Sequence, residues 1–222
     1  MTSTGKTLPV VILISGTGSN MCRMAELMQS GQLPIDIKAV ISDRAHAKGL
    51  ETAASMGINT DSLNPKAFTH RNDFDAALAD KVAQYQPQLV ILAGFMRILS
   101  HEFVSRFSDR MLNIHPSLLP KYPGLHTHQR ALDAGDLQHG ASVHFVTAEL
   151  DGGPVVMQAS IPILANDNAE SLAKRLLQQE HQLYPLVVNL FATGRLQSRN
   201  GKAWLDGAPL TTPLQLSSQS SL

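Results

Sequence analysis

The stretch Pro9-Val10-Val11-Ile12-Leu13-Ile14-Ser15-Gly16-Thr17-Gly18-Ser19-Asn20 decides the fold class. Val10 to Ile14 form an unbroken apolar run of strand length, the pattern of a strand covered on both faces by helices in a parallel sheet. The two glycines that follow open a helix. A strand-to-helix turn of this kind aims backbone N–H groups and the positive end of a helix dipole at one point, where a phosphate would fit. A plain tight turn capped by Ser19 or Asn20 reads equally well from these residues alone. A dinucleotide fingerprint would need a third glycine at position 21, which is Met21, and no Gly-Lys-Ser/Thr completes a Walker loop. Asp43, at the end of the next strand, is placed to act as a ribose-binding acid.

Working outward, apolar runs predict further strands at about 35–41 and 88–93, with helical spacing at about 20–30, 46–56 and 71–86 between them. Phe74, Ala77, Leu78, Val82 and Tyr85 share one face of the last of these helices. The second half predicts short strands near about 110–114, 141–147 and 154–161, then an amphipathic helix over about 168–193. Asn168 suits its N-cap and Gly194 its stop. A hairpin around Trp204 is expected over about 195–210. Strands alternating with helices predict an α/β class, a mostly parallel Rossmann-like sheet flanked by helices. No linker divides the middle, so residues 1–210 are read as a single domain, and the Ser/Gln-rich residues 211–222 as a flexible tail.

Composition narrows the function. The 222 residues are 43% hydrophobic, enough for a substantial core, and 18 Lys plus Arg balance 18 Asp plus Glu. A net charge of zero argues against a nucleic-acid footprint. No apolar run approaches the length of about 18 that a membrane helix requires, so no membrane partner is expected. The first nine residues carry one lysine and no apolar core of a signal peptide, and Cys22 is the only cysteine. A reducing, cytoplasmic setting fits these features, and the sequence sets no oligomeric state. His126-x-His128 is metal-like in spacing, but no Cys or carboxylate cluster completes a site, so no metal is expected. Cys22 is read as structural.

The chemistry concentrates in two places. In Met111-Leu112-Asn113-Ile114-His115-Pro116, strand alternation puts Asn113 and His115 on one face, and Pro116 biases His115 to extended backbone. An amide beside an imidazole suits oxyanion stabilisation and proton transfer; on this segment alone, a pair of hydrogen-bonded rim residues is the more ordinary reading. Glu149-Leu150-Asp151-Gly152-Gly153-Pro154 supplies a carboxylate on a glycine-freed turn. Beside His115, Asp151 would favour the imidazolium; alone, the motif is an ordinary β-turn.

Taken together with Ala93-Gly94-Phe95-Met96-Arg97-Ile98-Leu99-Ser100, Leu112 to Gly124, Ser142-Val143-His144-Phe145-Val146 and Leu150 to Pro154, the glycine loop resembles the short, folate-dependent phosphoribosylglycinamide formyltransferase family of purine biosynthesis. The resemblance covers about residues 8–210. It implies the formyltransferase fold and transfer of the formyl group from 10-formyltetrahydrofolate, as co-substrate, to the amine of glycinamide ribonucleotide (GAR). It implies that Asn113, His115 and Asp151 are catalytic, that Gly18, Ser19 and Asn20 hold the GAR phosphate, and that Glu180 meets the ribose hydroxyls. For folate it implies apolar cover from Met96 and Ile98, backbone contacts from Arg97 and Leu99, Asn113 nearby, and Arg71 at the glutamate tail. His144 is a further candidate for the site, or a hydrogen-bonded core residue.

An amine acceptor is already a nucleophile, and no Gly-x-Ser-x-Gly elbow is present, in keeping with this chemistry. The alternatives are hydrolysis of 10-formyltetrahydrofolate, whose family usually carries an N-terminal regulatory domain, and a non-catalytic nucleotide-binding module. About nine residues precede the first strand, which counts against the former. The intact Asn113, His115 and Asp151 count against the latter.

Overall fold

The run Val10–Ile14 is fully buried within strand β1 (Leu8–Ile14), as a two-sided apolar strand must be. This is a computed structural model, and it describes residues 7–217. The elements that follow are α1 (Ser19–Gln29), β2 (Ile35–Ser42), α2 (Lys48–Ser55), β3 (Thr60–Ser62), α3 (Arg71–Gln84), β4 (Leu89–Leu92) and α4 (His101–Arg106). Strand β5 (Met111–His115) leads into α5 (Thr127–Asp133), β6 (Gln138–Phe145), β7 (Val155–Pro162) and α6 (Ala169–Ala192). Short strands β8 (Leu196–Arg199), β9 (Lys202–Leu205), β10 (Ala208–Pro209) and β11 (Leu214–Gln215) complete the chain. The class is α/β, a mostly parallel sheet flanked by helices.

The chain divides into two compact units, Met1–Leu112 and Asn113–Leu222. In the first, the strand order is β4-β1-β2-β3, and every pair is parallel. Parallel pairing forces each connection to cross over as a helix, which is why the sequence alternates between short apolar runs and helical spacing. Helix α3 buries Phe74, Leu78, Ala79 and Val82, and with them Asp75, an acid on a face expected to be apolar. Helix α1 starts one residue earlier than its side chains suggest. Its N-cap is Gly18 in the left-handed region at φ 66°, with no side-chain cap, so neither Ser19 nor Asn20 fills that role.

The second unit orders its strands β11-β7-β6-β5, with β6 and β7 antiparallel and β11 parallel to β7. Helix α6 packs on β6 and β7 through Leu172, Leu176, Leu183, Val187 and Val188, spaced at the helical period. A capping box starts it: Asn168 accepts from the Ser171 N–H at 2.9 Å and donates its own N–H to the Ser171 hydroxyl at 3.0 Å. Gly194, at φ 74°, ends it. The expected hairpin is a three-stranded sheet, β10-β9-β8. Of the segment read as a flexible tail, Leu214 and Gln215 instead pair with Met157 and Gln158, and Leu216 N–H donates to the Gln158 carbonyl at 2.8 Å. An edge strand needs only backbone groups, so its Ser/Gln-rich side chains gave no signal. Residues 218–222 of that expectation lie outside the described residues.

Candidate functional site

Strand alternation does place Asn113 and His115 on one face of β5, where Asn113 meets His144 of β6 and His115 meets Asp151 of the turn after it. His115 Nδ1 lies 3.4 Å from Asp151 Oδ2, with both side chains under a tenth exposed. The other ring nitrogen, Nε2, donates to the Tyr122 carbonyl at 2.8 Å. A carboxylate and a carbonyl thus face the two nitrogens, and only the imidazolium has a proton for each. Any step in which Nε2 gives its proton to a substrate must first release Tyr122.

Asp151 is held by its backbone as much as by its side chain. It adopts φ 52°, and its Oδ2 accepts from Gly124 N–H at 2.9 Å. Gly153 sets the approach of this turn to β6: a Cβ there would lie 1.8 Å from the Phe145 carbonyl oxygen, while Pro154 accepts from the Phe145 N–H at 3.1 Å. Close backbone packing, more than flexibility, is what the second glycine of the Asp-Gly-Gly-Pro turn provides.

His144 joins this group and fixes an orientation. Its Nδ1 donates to the Phe145 carbonyl at 2.9 Å, so Nε2 carries the lone pair and accepts from Asn113 Nδ2 at 3.1 Å. Burial pushes the His144 imidazolium below the usual histidine range, against the opposing pull of the Phe145 carbonyl and of Asp151. Its 3.8 Å approach to Asp151 Oδ1 is therefore no ion pair in the neutral range. With Asn113 Nδ2 turned to His144, one amide N–H is spent there and a second is left to donate. His144 is a buried, hydrogen-bonded residue that also orients the Asn113 amide.

In the first unit, the glycine loop is built by backbone contacts. A Cβ on Gly49, at the start of α2, would meet Ile14 Cδ1 at 2.5 Å and the Thr17 carbonyl at 3.0 Å, and Gly49 N–H donates to the Gly16 carbonyl at 3.0 Å. Cys22 N–H donates to the Gly18 carbonyl at 2.8 Å, closing the first turn of α1 and leaving the N–H groups before it outside the helical ladder. Burial pushes the Cys22 thiol up, which opposes a reactive thiolate. Ser15 ties this loop to the segment after β4: its N–H donates to the Gly94 carbonyl at 3.0 Å, and its hydroxyl accepts from Met96 N–H at 2.9 Å.

That segment, residues 94–100, alternates. Met96 and Ile98 are 65% and 55% exposed, whereas Leu99 is buried and the Arg97 guanidinium lies 4.7 Å over the Phe74 ring. Met96 and Ile98 thus leave two large apolar side chains exposed to water, two residues apart in the chain.

The formyl transferase family profile matches residues 8–188. The chain belongs to the formyl transferase family. It is 51% identical over 201 residues to the phosphoribosylglycinamide formyltransferase of Escherichia coli K12, covering 90% of this chain and 95% of that one. It is 44% identical to the Haemophilus influenzae enzyme of the same name, with the same coverage. Among solved structures, the phosphoribosylglycinamide formyltransferase of Coxiella burnetii superposes with a TM-score of 0.90 at 47% identity, over 95% of this chain and all of that one. Within this formyl transferase, the second unit places His115 beside Asp151 and Asn113 beside His144. Gly18, Ser19 and Asn20 stand at the start of α1, with Asn20 buried, and Glu180 sits half-buried on α6. Arg71 is already engaged: its Nη2 donates to the Ile98 carbonyl and its Nε lies 3.7 Å from Asp75 Oδ2.

Several contributors escaped the sequence reading. Ser15, Tyr122, Gly124 and Phe145 act through hydroxyl or backbone groups, which residue identity hardly signals. Asp75 did carry a signal, a carboxylate at a core position between Phe74 and Leu78. His128 and His139 pair at 2.9 Å, ring nitrogen to ring nitrogen, so one must donate and the other accept. Burial lowers His139 to about 4. Among the described residues no His, Cys, Asp and Glu side chains group as metal ligands, and no helix is long and apolar enough to cross a membrane.

Proposed function

We propose that this chain transfers the formyl group of 10-formyltetrahydrofolate to the amine of GAR, giving formyl-GAR and tetrahydrofolate, a step of purine biosynthesis. The observation that carries the reading is the His115 imidazole held between Asp151 and a backbone carbonyl, with Asn113 oriented beside it by neutral His144. Identity of 51% over nearly the whole of the Escherichia coli phosphoribosylglycinamide formyltransferase supports the substrates.

The GAR amine attacks the formyl carbon, and negative charge grows on the formyl oxygen. His115, once its Nε2 has left the Tyr122 carbonyl, and the second N–H of Asn113 donate to that oxygen, each such donor being worth about 10²–10³ in rate. Asp151, 3.4 Å from His115 Nδ1, holds the ring in place and accepts the proton that the attacking nitrogen gives up, directly or through water. The carbon–N10 bond then breaks, the folate nitrogen takes up the proton that Asp151 received from the amine, and the formyl group stays on the GAR nitrogen. Positioning supplies the rest of the acceleration.

Gly18, Ser19 and Asn20 hold the GAR phosphate through backbone N–H groups and the α1 dipole, and Glu180 accepts from the ribose hydroxyls. Met96 and Ile98 cover the folate ring while the backbone of Arg97 and Leu99 reads its edge. The guanidinium of Arg71 has five N–H groups, so its bond to the Ile98 carbonyl leaves others for the glutamate carboxylate. Residues 1–210 work as one catalytic domain; the family match, which runs through both units from 8 to 188, supports this. A neutral chain with small anionic substrates fits a cytoplasmic enzyme without nucleic-acid or membrane partners.

The test is turnover of 10-formyltetrahydrofolate with and without GAR, following both tetrahydrofolate and formyl-GAR. Equal amounts of both products, formed only when GAR is present, are expected. Folate deformylated without GAR would make the chain a hydrolase, and no turnover in either condition would make it a binding module.

A further inference from the structure

Three residues on one face of α3, Arg71, Phe74 and Asp75, grip three points of the segment after β4. Arg71 donates to the Ile98 carbonyl, the Phe74 ring lies under the Arg97 guanidinium at 4.7 Å, and Asp75 Oδ2 accepts from Ser100 N–H at 2.8 Å. Spacing i, i+3 and i+4 puts all three on the same helical stripe. Asp75 links the outer two, because its Oδ2 also lies 3.7 Å from Arg71 Nε. Its side chain is 1% exposed, and its Oδ1, equally buried, has no hydrogen-bond partner among the described residues.

A carboxylate buried with half of its hydrogen-bonding capacity unused is a costly way to hold a helix against a loop. An apolar residue at this position would continue the face made by Phe74, Leu78 and Val82. What an apolar residue would not do is accept from Ser100 N–H and orient Arg71. Ser100 matters because it begins α4: its hydroxyl caps the helix by accepting from Phe103 N–H at 3.2 Å. One end of the 94–100 segment is thus tied to Ser15 through Gly94 and Met96, and the other to Asp75 through Ser100.

We propose that Asp75 is a positioning residue for folate use: it clamps Ser100 N–H and Arg71 so that residues 96–99 present their backbone and the Met96 and Ile98 side chains in a fixed arrangement. The proposal rests on the folate role of residues 96–99 proposed above. Asp75 touches neither substrate and acts through Arg71 and Ser100.

Asp75→Ala is expected to raise the KM for 10-formyltetrahydrofolate about tenfold, the equivalent of 1.4 kcal/mol, with the KM for GAR within about twofold. The calorimetric Kd for tetrahydrofolate should rise in parallel. Asp75→Asn keeps an oxygen for Ser100 N–H while losing the charge that orients Arg71, so it should fall between wild type and Asp75→Ala, and it carries the test if the alanine variant does not fold. A lower melting temperature with both KM values and the tetrahydrofolate Kd unchanged would make Asp75 merely structural and overturn the proposal, as would an equal rise in both KM values. Wild-type protein run in parallel separates the two claims. Wild-type formyl transfer with unselective Asp75 variants overturns only the clamp, whereas no wild-type transfer overturns the formyl-transfer reading on which the clamp depends.

Discussion

The glycine loop after β1 and the His115 group around β5 differ in what they are made of. The loop is a backbone device: Gly18 supplies a left-handed cap, Gly49 lets α2 approach within hydrogen-bond reach of Gly16, and no side chain caps α1. The His115 group is a side-chain device, an imidazole, a carboxylate, an amide and a second imidazole from three separate stretches of chain. A phosphate carries its charge before and after reaction, so fixed N–H groups suffice for it. A formyl oxygen becomes charged only in the transition state, and the proton traffic that accompanies it needs groups that titrate.

The comparison is broken most severely at His115. His115→Ala should lower kcat by about 10²–10⁴ with little change in either KM, measured by initial rates of tetrahydrofolate formation. Near-native kcat would remove His115 from proton transfer and leave positioning as the whole of catalysis.

A backbone change inside the side-chain device comes next. Gly153→Ala places a Cβ 1.8 Å from the Phe145 carbonyl, so the turn must move and carry Asp151 with it. The variant should lose about 1–3 kcal/mol of stability in urea melts, as overpacked sites do, and should lose activity beyond what its folded fraction accounts for. Unchanged kcat in the folded fraction would show that the Asp151 geometry is not critical.

The neutral histidines give a smaller effect with a definite sign. His139 is lowered to about 4 and His144 is lowered as well, in both cases chiefly by burial, while the unfolded chain takes up its imidazole protons near 6.5. The unfolded state therefore binds more protons across that interval, so stability falls as pH drops from about 6.5 to about 4 and is level above it. The carboxylates Asp136, Asp167 and Asp206, lowered from 3.8 by their hydrogen-bond partners, act only below that interval. His139→Gln should flatten the slope in denaturant melts taken across the interval, and an unaltered slope would show that His139 is charged in the folded protein. At the small end, Thr17→Ala should leave the KM for GAR within about twofold, because the loop works through its backbone; a tenfold rise would transfer the glycine loop to the side-chain class.

Legibility in the sequence followed the same division. Strand β1, the glycine turn, α3 and α6 were readable because burial period and capping chemistry are local: Val10 to Ile14 form an apolar run, and Asn168 and Ser171 make a capping box three residues apart. The short helices α4 and α5 and strands β3 and β11 were not, since a few residues offer too little periodicity to detect. The shared face of Asn113 and His115 was legible through strand alternation, and the nearness of His115 to Asp151 through family resemblance. The Tyr122 carbonyl on His115 and the His144 lone pair on Asn113 were legible through neither, because a backbone oxygen and a tautomer leave no mark in residue identity.

By itself, the sequence determined the class of fold and the family and offered the candidate reactive groups, since these depend on local apolar period, glycine placement and side-chain chemistry. Only the tertiary structure decided how those groups are used. It set which proton His115 shares with Tyr122, which way the Asn113 amide turns, and why an acid lies buried on α3. Each of these depends on distances between residues far apart in the chain, and hydrogen bonds form only over the last few tenths of an ångström of such an approach.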